Sequence, residues 1–264
     1  MMLLTSNQNP KIKLVAKLRD RKTRDQTALF LIEGYRELLR ATEGKQKIET
    51  LFICPSLFLG SNEEKLIQTI VGSGAQVFET SKSVFETLSY RDRPDGLLAI
   101  APQNHLGFQN LKTSKTPFYI VAEAIEKPGN LGTILRSADG VGCDGVIVCD
   151  KCTDIYNPNV VRASVGTLFT LPVIQASSRE TIDFLRQKGI MIVAATPEAP
   201  LRYTDADLKK PIAIVVGTEQ LGLSSLWKEA SDCKVSIPMH GCADSLNVAV
   251  ATTLLLYEAL RQRA

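Results

Sequence analysis

The sequence predicts an α/β protein with a parallel sheet in its second half and a smaller α/β domain before it. Three observations support this fold class. Apolar, β-branched runs such as AIVV and GVIV alternate with helical patterns in the second half, and such runs are typical of parallel strands covered on both faces. Strands and helices also alternate in the first half. A polar stretch with two prolines, residues 102–117, separates the halves.

The first half opens with a predicted helix. Asn7 or Asn9, together with Pro10, marks its start, and apolar residues follow at helical spacing: Ile12, Val15, Ala16 and Leu18. The elements predicted after it are strands over residues 29–32, 50–54, 76–78 and 97–101 and helices over residues 35–41 and 63–71.

The second half alternates more regularly. Its predicted strands cover residues 118–122, 145–149, 190–194, 211–216 and 234–237, and its predicted helices cover residues 131–138, 160–167, 181–188, 224–230 and 246–261. We therefore predict domains over residues 1–104 and 118–264, joined by a linker over residues 105–117.

Composition narrows the class of protein. The 264 residues are 44% hydrophobic and 22% charged, as in ordinary soluble proteins, and no apolar run approaches the roughly 20 residues of a membrane-spanning helix. Six cysteines without a secretory signal are typical of reduced thiols in a cytoplasmic protein. The absence of acidic residues before Asp20 leaves a transit peptide open.

Positive charge is concentrated near the N-terminus. The net charge is only +3, yet residues 11–24 contain seven basic side chains against one acidic residue, Asp20: Lys11, Lys13, Lys17, Arg19, Arg21, Lys22 and Arg24. Such a cluster forms either a solvated helix face or a surface that binds a phosphate backbone.

Three common site motifs are rejected. Residues 140–145 match G-x-G-x-x-G, but a helical pattern precedes them and a strand follows, so they indicate a helix end rather than a dinucleotide site. The Cys149/Cys152 pair lacks a second pair at zinc-finger spacing, so no metal site is predicted. A serine hydrolase is disfavoured because no G-x-S-x-G occurs.

Three other segments share a pattern that predicts a ligand site. Each is an apolar strand that runs into a glycine-containing loop and then a helix, and ligands bind at the carboxyl ends of such strands. Capping alone explains any one of these loops. Together they present Asn130, Arg136, Glu219, Ser245 and Asn247.

These segments resemble a known family. NLGTILRSADGVG, IVVGTEQLGLS and IPMHGCADSLNVAVA are similar, in this order, to the motifs of the SpoU/TrmH branch of the SPOUT RNA methyltransferases. NPNVVRASVGTLFTLPV also fits that family. LFLIEGYRELLRA more loosely resembles the ribosomal-protein-like RNA-binding domain that many members carry at the N-terminus.

The resemblance implies a SPOUT domain with a deep trefoil knot, an exception to the rule that chains avoid knots. It implies S-adenosylmethionine bound in the knotted loops, a homodimer with the active site near the subunit interface, and methylation of a ribose 2′-hydroxyl. No membrane or metal is implied.

The resemblance also assigns residues. It implies catalytic roles for Asn130, Arg136, Glu219, Ser245 and Asn247, and cofactor contacts from Gly217, Thr218, Ile237, Met239 and Leu246. It places substrate RNA at Arg162 and the basic cluster: Lys11, Lys13, Arg19, Arg21, Lys22 and Arg24. Lys127 and Thr218 depart from the usual Asp and Asn, which puts fine cofactor contacts in doubt. We expect Asp244 or Ser245 to cap the last helix, and small residues such as Gly241 to allow close chain passage.

The chemistry leaves the role of Arg136 open. A ribose hydroxyl must lose its proton, and guanidinium groups, with a pKa of about 12.5–13.8, are poor bases. Either Arg136 holds the adjacent phosphate and stabilises the developing alkoxide, or it takes the proton itself, as family analogy favours.

The leading functional hypothesis is a ribosomal RNA 2′-O-methyltransferase. A tRNA enzyme is the alternative within the class. A catalytically silent RNA-binding or ribosome-assembly protein on the same scaffold is the alternative outside it, and a small-molecule methyltransferase is disfavoured by the basic N-terminal domain.

Overall fold

The computed structural model describes residues 2–218 and 220–264. In the first half the elements in chain order are β1 (Met2–Leu4), α1 (Pro10–Lys17), α2 (Arg21–Thr27), β2 (Leu29–Glu33), α3 (Tyr35–Glu43), β3 (Thr50–Ile53), α4 (Glu63–Gly72), β4 (Gln76–Thr80), α5 (Lys82–Leu88) and β5 (Leu97–Pro102).

In the second half they are β6 (Phe118–Glu123), α6 (Pro128–Gly140), β7 (Gly145–Cys149), α7 (Pro158–Ala163), β8 (Val173–Ala176), α8 (Ser178–Gln187), β9 (Met191–Ala195), β10 (Leu201–Arg202), β11 (Ile212–Val216), α9 (Ser225–Ala230), β12 (Cys233–Ser236) and α10 (Val248–Arg263).

The chain divides into two compact units that do not follow chain order. The first unit runs to Asn104 and also includes Asp154–Thr170, whereas the second comprises His105–Thr153 and Leu171–Ala264. The inserted segment joins the first unit through a 2.8 Å ion pair between Asp154 and Arg24 and through the Tyr156 ring, whose centroid lies 4.4 Å from that of Phe30. Compactness therefore assigns part of the predicted C-terminal domain to the first unit, and the domain bounds 1–104 and 118–264 stay a prediction.

The described part of the first unit contains a five-stranded mixed sheet in the order β1-β4-β3-β5-β2. Strands β1, β4 and β3 run parallel, while β5 pairs antiparallel with both β3 and β2. Ile12 and Val15 of α1 and Phe85 of α5 pack with sheet residues into one apolar core. Asn9 caps α1 by accepting from the Lys11 N–H, which confirms the predicted helix start.

The second unit carries a parallel sheet in the order β10-β12-β9-β11-β6-β7-β8 within the described residues. Every residue of β6, β7 and β11 is buried, so both faces of the sheet are covered, as the apolar runs predict. The predicted linker packs on this unit: Phe108 stacks on Phe184 with ring centroids 4.5 Å apart, and Leu111 is buried.

Some short elements escape the sequence pattern. Helix α2 reads RKTRDQT and has no apolar periodicity; it forms because Asp20 caps its start. Strand β8 has four residues, too few for a periodic signal. The glycines of residues 140–145 end α6 and turn into β7, as predicted, with Gly142 at φ 70°. None of the helices in the described part of the chain combines the length and apolarity that crossing a bilayer requires.

Candidate cofactor and catalytic site

A cavity of about 540 Å³ opens at one edge of the parallel sheet in the second unit. Strands β9, β11 and β12 end there, because neighbouring parallel strands bring their carboxyl ends together. The loops that follow these strands form its walls. All five residues predicted to contact a cofactor line the cavity: Gly217, Thr218, Ile237, Met239 and Leu246.

The loop after β11 is closed on itself and leaves no room for a side chain at Gly217. A Cβ there would lie 2.4 Å from the carbonyl carbon and oxygen of Gly222 and 2.5 Å from the backbone nitrogen of Leu223. Thr218 and Gly222 exchange two backbone hydrogen bonds, of 3.1 and 3.2 Å. Glycine at position 217 therefore allows the two ends of this loop to approach each other closely.

The prediction for Gly241 is wrong. A Cβ added to Gly241 would meet no heavy atom of the described chain within 4 Å, so close passage does not require glycine there. The tight approach occurs instead at Gly217, in the loop that follows β11.

Charged side chains complete the cavity wall, and sequence reasoning missed two of them, Glu198 and Lys228. Glu198 and Lys228 line it together with Lys127. The Thr196 hydroxyl donates to Glu198, and this hydrogen bond holds the pKa of the Glu198 carboxyl below its usual value. Thr196 follows β9. The sequence signal that could have pointed to this part of the cavity was the general tendency of ligands to bind at the carboxyl ends of strands.

Asn247 has two contacts at the start of α10. Its Oδ1 accepts from the backbone N–H groups of Ala249 and Val250, at 3.0 and 3.4 Å, and its Nδ2 donates to Oδ1 of Asn130 at 3.1 Å. The helix begins at Val248 with Asn247 as its cap, so the prediction that Asp244 or Ser245 caps it is wrong. The Asn247 side chain thus caps the start of α10 and also links this helix to the first turn of α6.

The other predicted catalytic residues are distributed unevenly. Ser245 and Asn247 line the cavity, and Asn130 reaches it through Asn247. Arg136 lies on an exposed position of α6 and does not line the cavity. Glu219 lies outside the described residues.

A buried carboxylate that the sequence did not single out holds the loop after β11. Glu123, the last residue of β6, is 5% exposed, and its Oε2 accepts from the Ser224 N–H at 2.9 Å. Hydrogen bonds to charged groups are among the stronger ones. Glu123 is therefore a positioning residue for the described part of this cavity wall, residues 217–218 and 220–223.

The predicted RNA contacts in the first unit need one correction. Arg24 is 1% exposed, pairs with Asp154, and donates to the backbone carbonyls of Leu18 and Arg19. Its guanidinium is buried in the protein, so Arg24 is not available to a phosphate.

The remaining basic residues differ in their surroundings. Arg19 donates to three carbonyls at the end of α5, and Lys11 lies 4.8 Å from the Phe78 ring centroid and contacts Gln76. Arg21 is exposed, 3.6 Å from Asp25. Lys13, Lys22 and Arg162 are also exposed.

The two cysteines of the C-x-x-C pair differ in their surroundings. Cys149 is buried and contacts the Thr181 hydroxyl, whereas Cys152 is exposed. Burial raises the pKa of the Cys149 thiol to about 12. Within residues 2–218 and 220–264 no group of three or more His, Cys, Asp or Glu side chains is arranged to hold a metal ion.

Two segments of the chain match known protein families. Residues 117–257 match the SpoU rRNA methylase family, and residues 9–99 match an MRM3-like substrate binding domain. The chain belongs to the SpoU rRNA methylase family. The resemblance of the three motifs is thereby confirmed, as is the prediction of a substrate-binding domain ahead of a methyltransferase domain.

Similar proteins match this chain over nearly its full length. An RNA 2′-O ribose methyltransferase of known structure is 43% identical, with a TM-score of 0.85 and 99% of both chains covered. An AdoMet-bound rRNA methyltransferase from Sinorhizobium meliloti is 32% identical, with a TM-score of 0.90 and 98% of this chain and 97% of that chain covered. The 23S rRNA (guanosine(2553)-2′-O)-methyltransferase RlmP of Bacillus subtilis (strain 168) is 28% identical over 257 residues, 97% of this chain and 98% of RlmP.

The double contact of Asn247 gives a testable prediction. Asn247→Ala removes the cap and the Asn130 contact, and we expect it to lower the free energy of unfolding by about 1–2 kcal/mol. Asn247→Asp keeps an acceptor for the helix start but has no N–H to donate to Asn130, so it should retain most of the stability and still lose activity. Chemical denaturation and methyl-transfer rates measure the two effects.

The control is Asn9→Ala, which removes the cap of α1 in the first unit. It should cost similar stability without changing cofactor affinity. Equal activity of Asn247→Asp and the wild type would contradict a role for the Asn130–Asn247 contact in the reaction.

Proposed function

We propose that this protein is an S-adenosylmethionine-dependent ribose 2′-O-methyltransferase that acts on ribosomal RNA. One observation carries the proposal: five predicted cofactor residues and two predicted catalytic residues, Ser245 and Asn247, line one cavity at the sheet edge. Family membership and rRNA methyltransferase relatives support it, and they favour rRNA over tRNA.

The cavity suits the proposed cofactor. Its volume lies within the range of small-molecule sites, roughly 300–1,000 Å³. Ile237, Met239 and Leu246 offer apolar surface to an adenine ring, and glycine at position 217 lets the loop after β11 close beside the cavity. Glu198, Lys127 and Lys228 offer charges to polar groups of the ligand. When bound, S-adenosylmethionine supplies the methyl group as an activated sulfonium.

The chain itself must orient and activate the ribose hydroxyl. Asn247, held by Asn130, and the neighbouring Ser245 are polar groups at the cavity mouth that position the ribose. Arg136, exposed on the same helix as Asn130, contacts the adjacent phosphate and stabilises negative charge on the hydroxyl oxygen. Glu219 belongs to the same proposed set.

We also propose the homodimer with its active site near the subunit interface. Helix α10 packs on α6, and its residues Val250, Leu254 and Tyr257 are 50%, 38% and 50% exposed, at the i, i+4, i+7 spacing of one helix face. A second copy covering this face would approach α6, which carries Arg136. Light scattering of the full chain at micromolar concentration should give twice the 28.9 kDa chain mass; a monomer would contradict the dimer.

We propose in addition that the second unit contains a deep trefoil knot and that the protein is cytoplasmic. The two loops that would form the knot follow β11 and β12, and described residues of both line the cavity. The bacterial relatives that modify 23S rRNA support the location.

RNA binding by the first unit has a measurable salt dependence. Lys13 and Lys22 are exposed, and if they contact phosphates the wild-type affinity for rRNA fragments should fall steeply with salt. We expect the Lys13→Ala/Lys22→Ala double variant to lower the log–log salt slope by about 2. Lys188→Ala, an exposed lysine of the second unit, is the control and should leave the slope unchanged. A flat wild-type salt dependence would refute phosphate contacts by this cluster.

The decisive experiment maps 2′-O-methylation across total RNA with and without the gene. We expect one ribosomal RNA position to lose its methyl group and to regain it when the gene is restored. Loss confined to a tRNA would overturn the rRNA assignment. Calorimetric titration provides the second arm, because failure to bind S-adenosylmethionine at millimolar concentration would overturn the enzyme assignment.

A further inference from the structure

Tyr90 is an exposed aromatic side chain of the first unit, in the loop between α5 and β5. Its side chain is 42% exposed, and no part of the proposed mechanism uses it. Among the described residues of this unit, one exposed large hydrophobic side chain of four carries a ring; the four are Leu3, Leu59, Val71 and Tyr90. A tyrosine ring offers a planar apolar face to a ligand and a polar hydroxyl at its tip.

Three contacts hold Tyr90 in place. Its backbone N–H donates to Oε2 of Glu33 at 2.8 Å, and its hydroxyl accepts from Nδ2 of Asn159 in the inserted segment at 3.2 Å. The Cζ of Arg19 lies 5.7 Å from the ring centroid, which is a cation–π distance. Arg19 is itself fixed, because it donates to the carbonyls of residues 87, 88 and 89. The ring is therefore presented to solvent in a fixed position, so a ligand that packs on it has little side-chain motion to arrest.

Exposed cations lie beside the ring. Asn159 and Arg162 are three residues apart on α7 and so share a face of that helix. The face of α7 that contacts Tyr90 therefore also carries the exposed guanidinium of Arg162, which the sequence predicts to contact substrate RNA. Arg93, in the same loop as Tyr90, is exposed as well, next to one exposed acid, Asp92. Aromatic rings bordered by cations are typical of surfaces that bind unpaired nucleotides, since bases stack on the ring and phosphates meet the cations.

We propose that Tyr90 is a stacking platform for one unpaired base of the substrate RNA, with Arg162 and Arg93 on the phosphates beside that base. Residues 9–99, which match a substrate binding domain, include Tyr90. Every base has a π-face, so this contact tolerates different sequences. The inference rests on the proposed RNA substrate and adds a base contact to the phosphate contacts of the basic cluster.

Binding of two short probes to the full-length protein tests the proposal. The probes are a fluorescein-labelled nine-residue oligoadenylate and a ribose-phosphate chain of the same length without bases, measured by anisotropy at low salt. We expect Tyr90→Ala to bind the oligoadenylate about 10- to 100-fold more weakly than the wild type, which is the usual loss when one stacking aromatic is removed. Its affinity for the base-free chain should not change. An equal loss for both probes, or no loss for the oligoadenylate, would overturn the proposal.

Salt dependence separates stacking from phosphate binding. Stacking releases no counterions, so Tyr90→Ala should lower the affinity by the same factor at every salt concentration and keep the wild-type log–log slope. Tyr90→Phe keeps the ring and loses only the hydroxyl contact with Asn159, so its affinity should stay within about twofold of the wild type. Val71→Ala removes an exposed apolar side chain of α4 and is the surface control, which should bind like the wild type. Binding by Tyr90→Phe as weak as that of Tyr90→Ala would contradict stacking.

Tyr90→Trp keeps an aromatic ring at this position and reports on stacking directly. The wild-type chain has one tryptophan, Trp227, which is fully buried in the second unit. The indole added by Tyr90→Trp should therefore be quenched by the oligoadenylate and not by the base-free chain, while the wild-type tryptophan emission stays constant with both probes. Unchanged emission of the variant at saturating oligoadenylate would overturn the proposal even if Tyr90→Ala folds poorly.

Calorimetry with S-adenosylmethionine distinguishes failure of this inference from failure of the proposed function. Tyr90→Ala should bind the cofactor like the wild type, because Tyr90 belongs to the first unit and does not line the cofactor cavity. Normal cofactor binding and rRNA methylation, with no effect of Tyr90→Ala on oligoadenylate affinity, would refute only the stacking platform. Absent cofactor binding by the wild type would refute the proposed function.

Discussion

Gly217→Ala is expected to weaken S-adenosylmethionine binding by roughly 100-fold. The added methyl group would lie 2.4 Å from backbone atoms of Gly222, so the loop after β11 must open to accept it. Forced overpacking typically costs about 1–3 kcal/mol, and here the strain falls on a wall of the cofactor cavity, where each 1.4 kcal/mol is a tenfold change in affinity. Calorimetric titration of the cofactor measures the effect.

Gly241→Ala is the matched control, since a Cβ there meets no described atom within 4 Å in the loop after β12. We expect its cofactor affinity to stay within about threefold of the wild type. Tight binding by Gly217→Ala would contradict the placement of the cofactor against this loop.

Arg136→Ala should lower the rate of methyl transfer by about 100- to 1,000-fold, as loss of one charge-stabilising donor does in other enzymes. Cofactor affinity should not change, because Arg136 does not line the cavity. Single-turnover transfer to an rRNA fragment measures the rate. A single-turnover rate near that of the wild type would refute a catalytic role for Arg136.

Arg136→Lys separates the two roles considered for this residue. If the planar guanidinium of Arg136 is needed to hold a phosphate, the Arg136→Lys variant should retain little activity. Substantial activity with a pH profile moved toward that of a lysine would instead favour direct proton transfer. Arg202→Ala, an exposed arginine of β10, is the control and should leave the rate unchanged.

Periodicity and apolar runs were sufficient for the layered fold. Strands such as β7 and β11 are apolar throughout because both faces of a parallel sheet are buried. Consecutive residues must then all be apolar, and such a run can be recognised in the sequence. Elements such as α2 and β8 were not predictable, because a side-chain cap and sheet pairing determine them rather than a repeating pattern.

For the candidate site as well, the sequence predicted some features and could not show others. Motif order predicted Ser245, Asn247 and the five cofactor contacts, all of which line the cavity, since each motif is a local run that follows a strand. Sequence could not show that Arg24 is buried against Asp154, 130 residues away. A charged residue in a basic run looks the same whether it meets solvent or a distant carboxylate.

The sequence by itself determined the α/β class and the family and singled out many of the residues that line the cavity, because these depend on short-range patterns of side-chain type. Only the tertiary structure decided that Asn247 both caps α10 and contacts Asn130, that Glu123 holds the loop at Ser224, and that Asn159 contacts Tyr90. These contacts join residues between about 70 and 120 positions apart, and their energies depend on burial and on distances of a few ångströms, which folding sets.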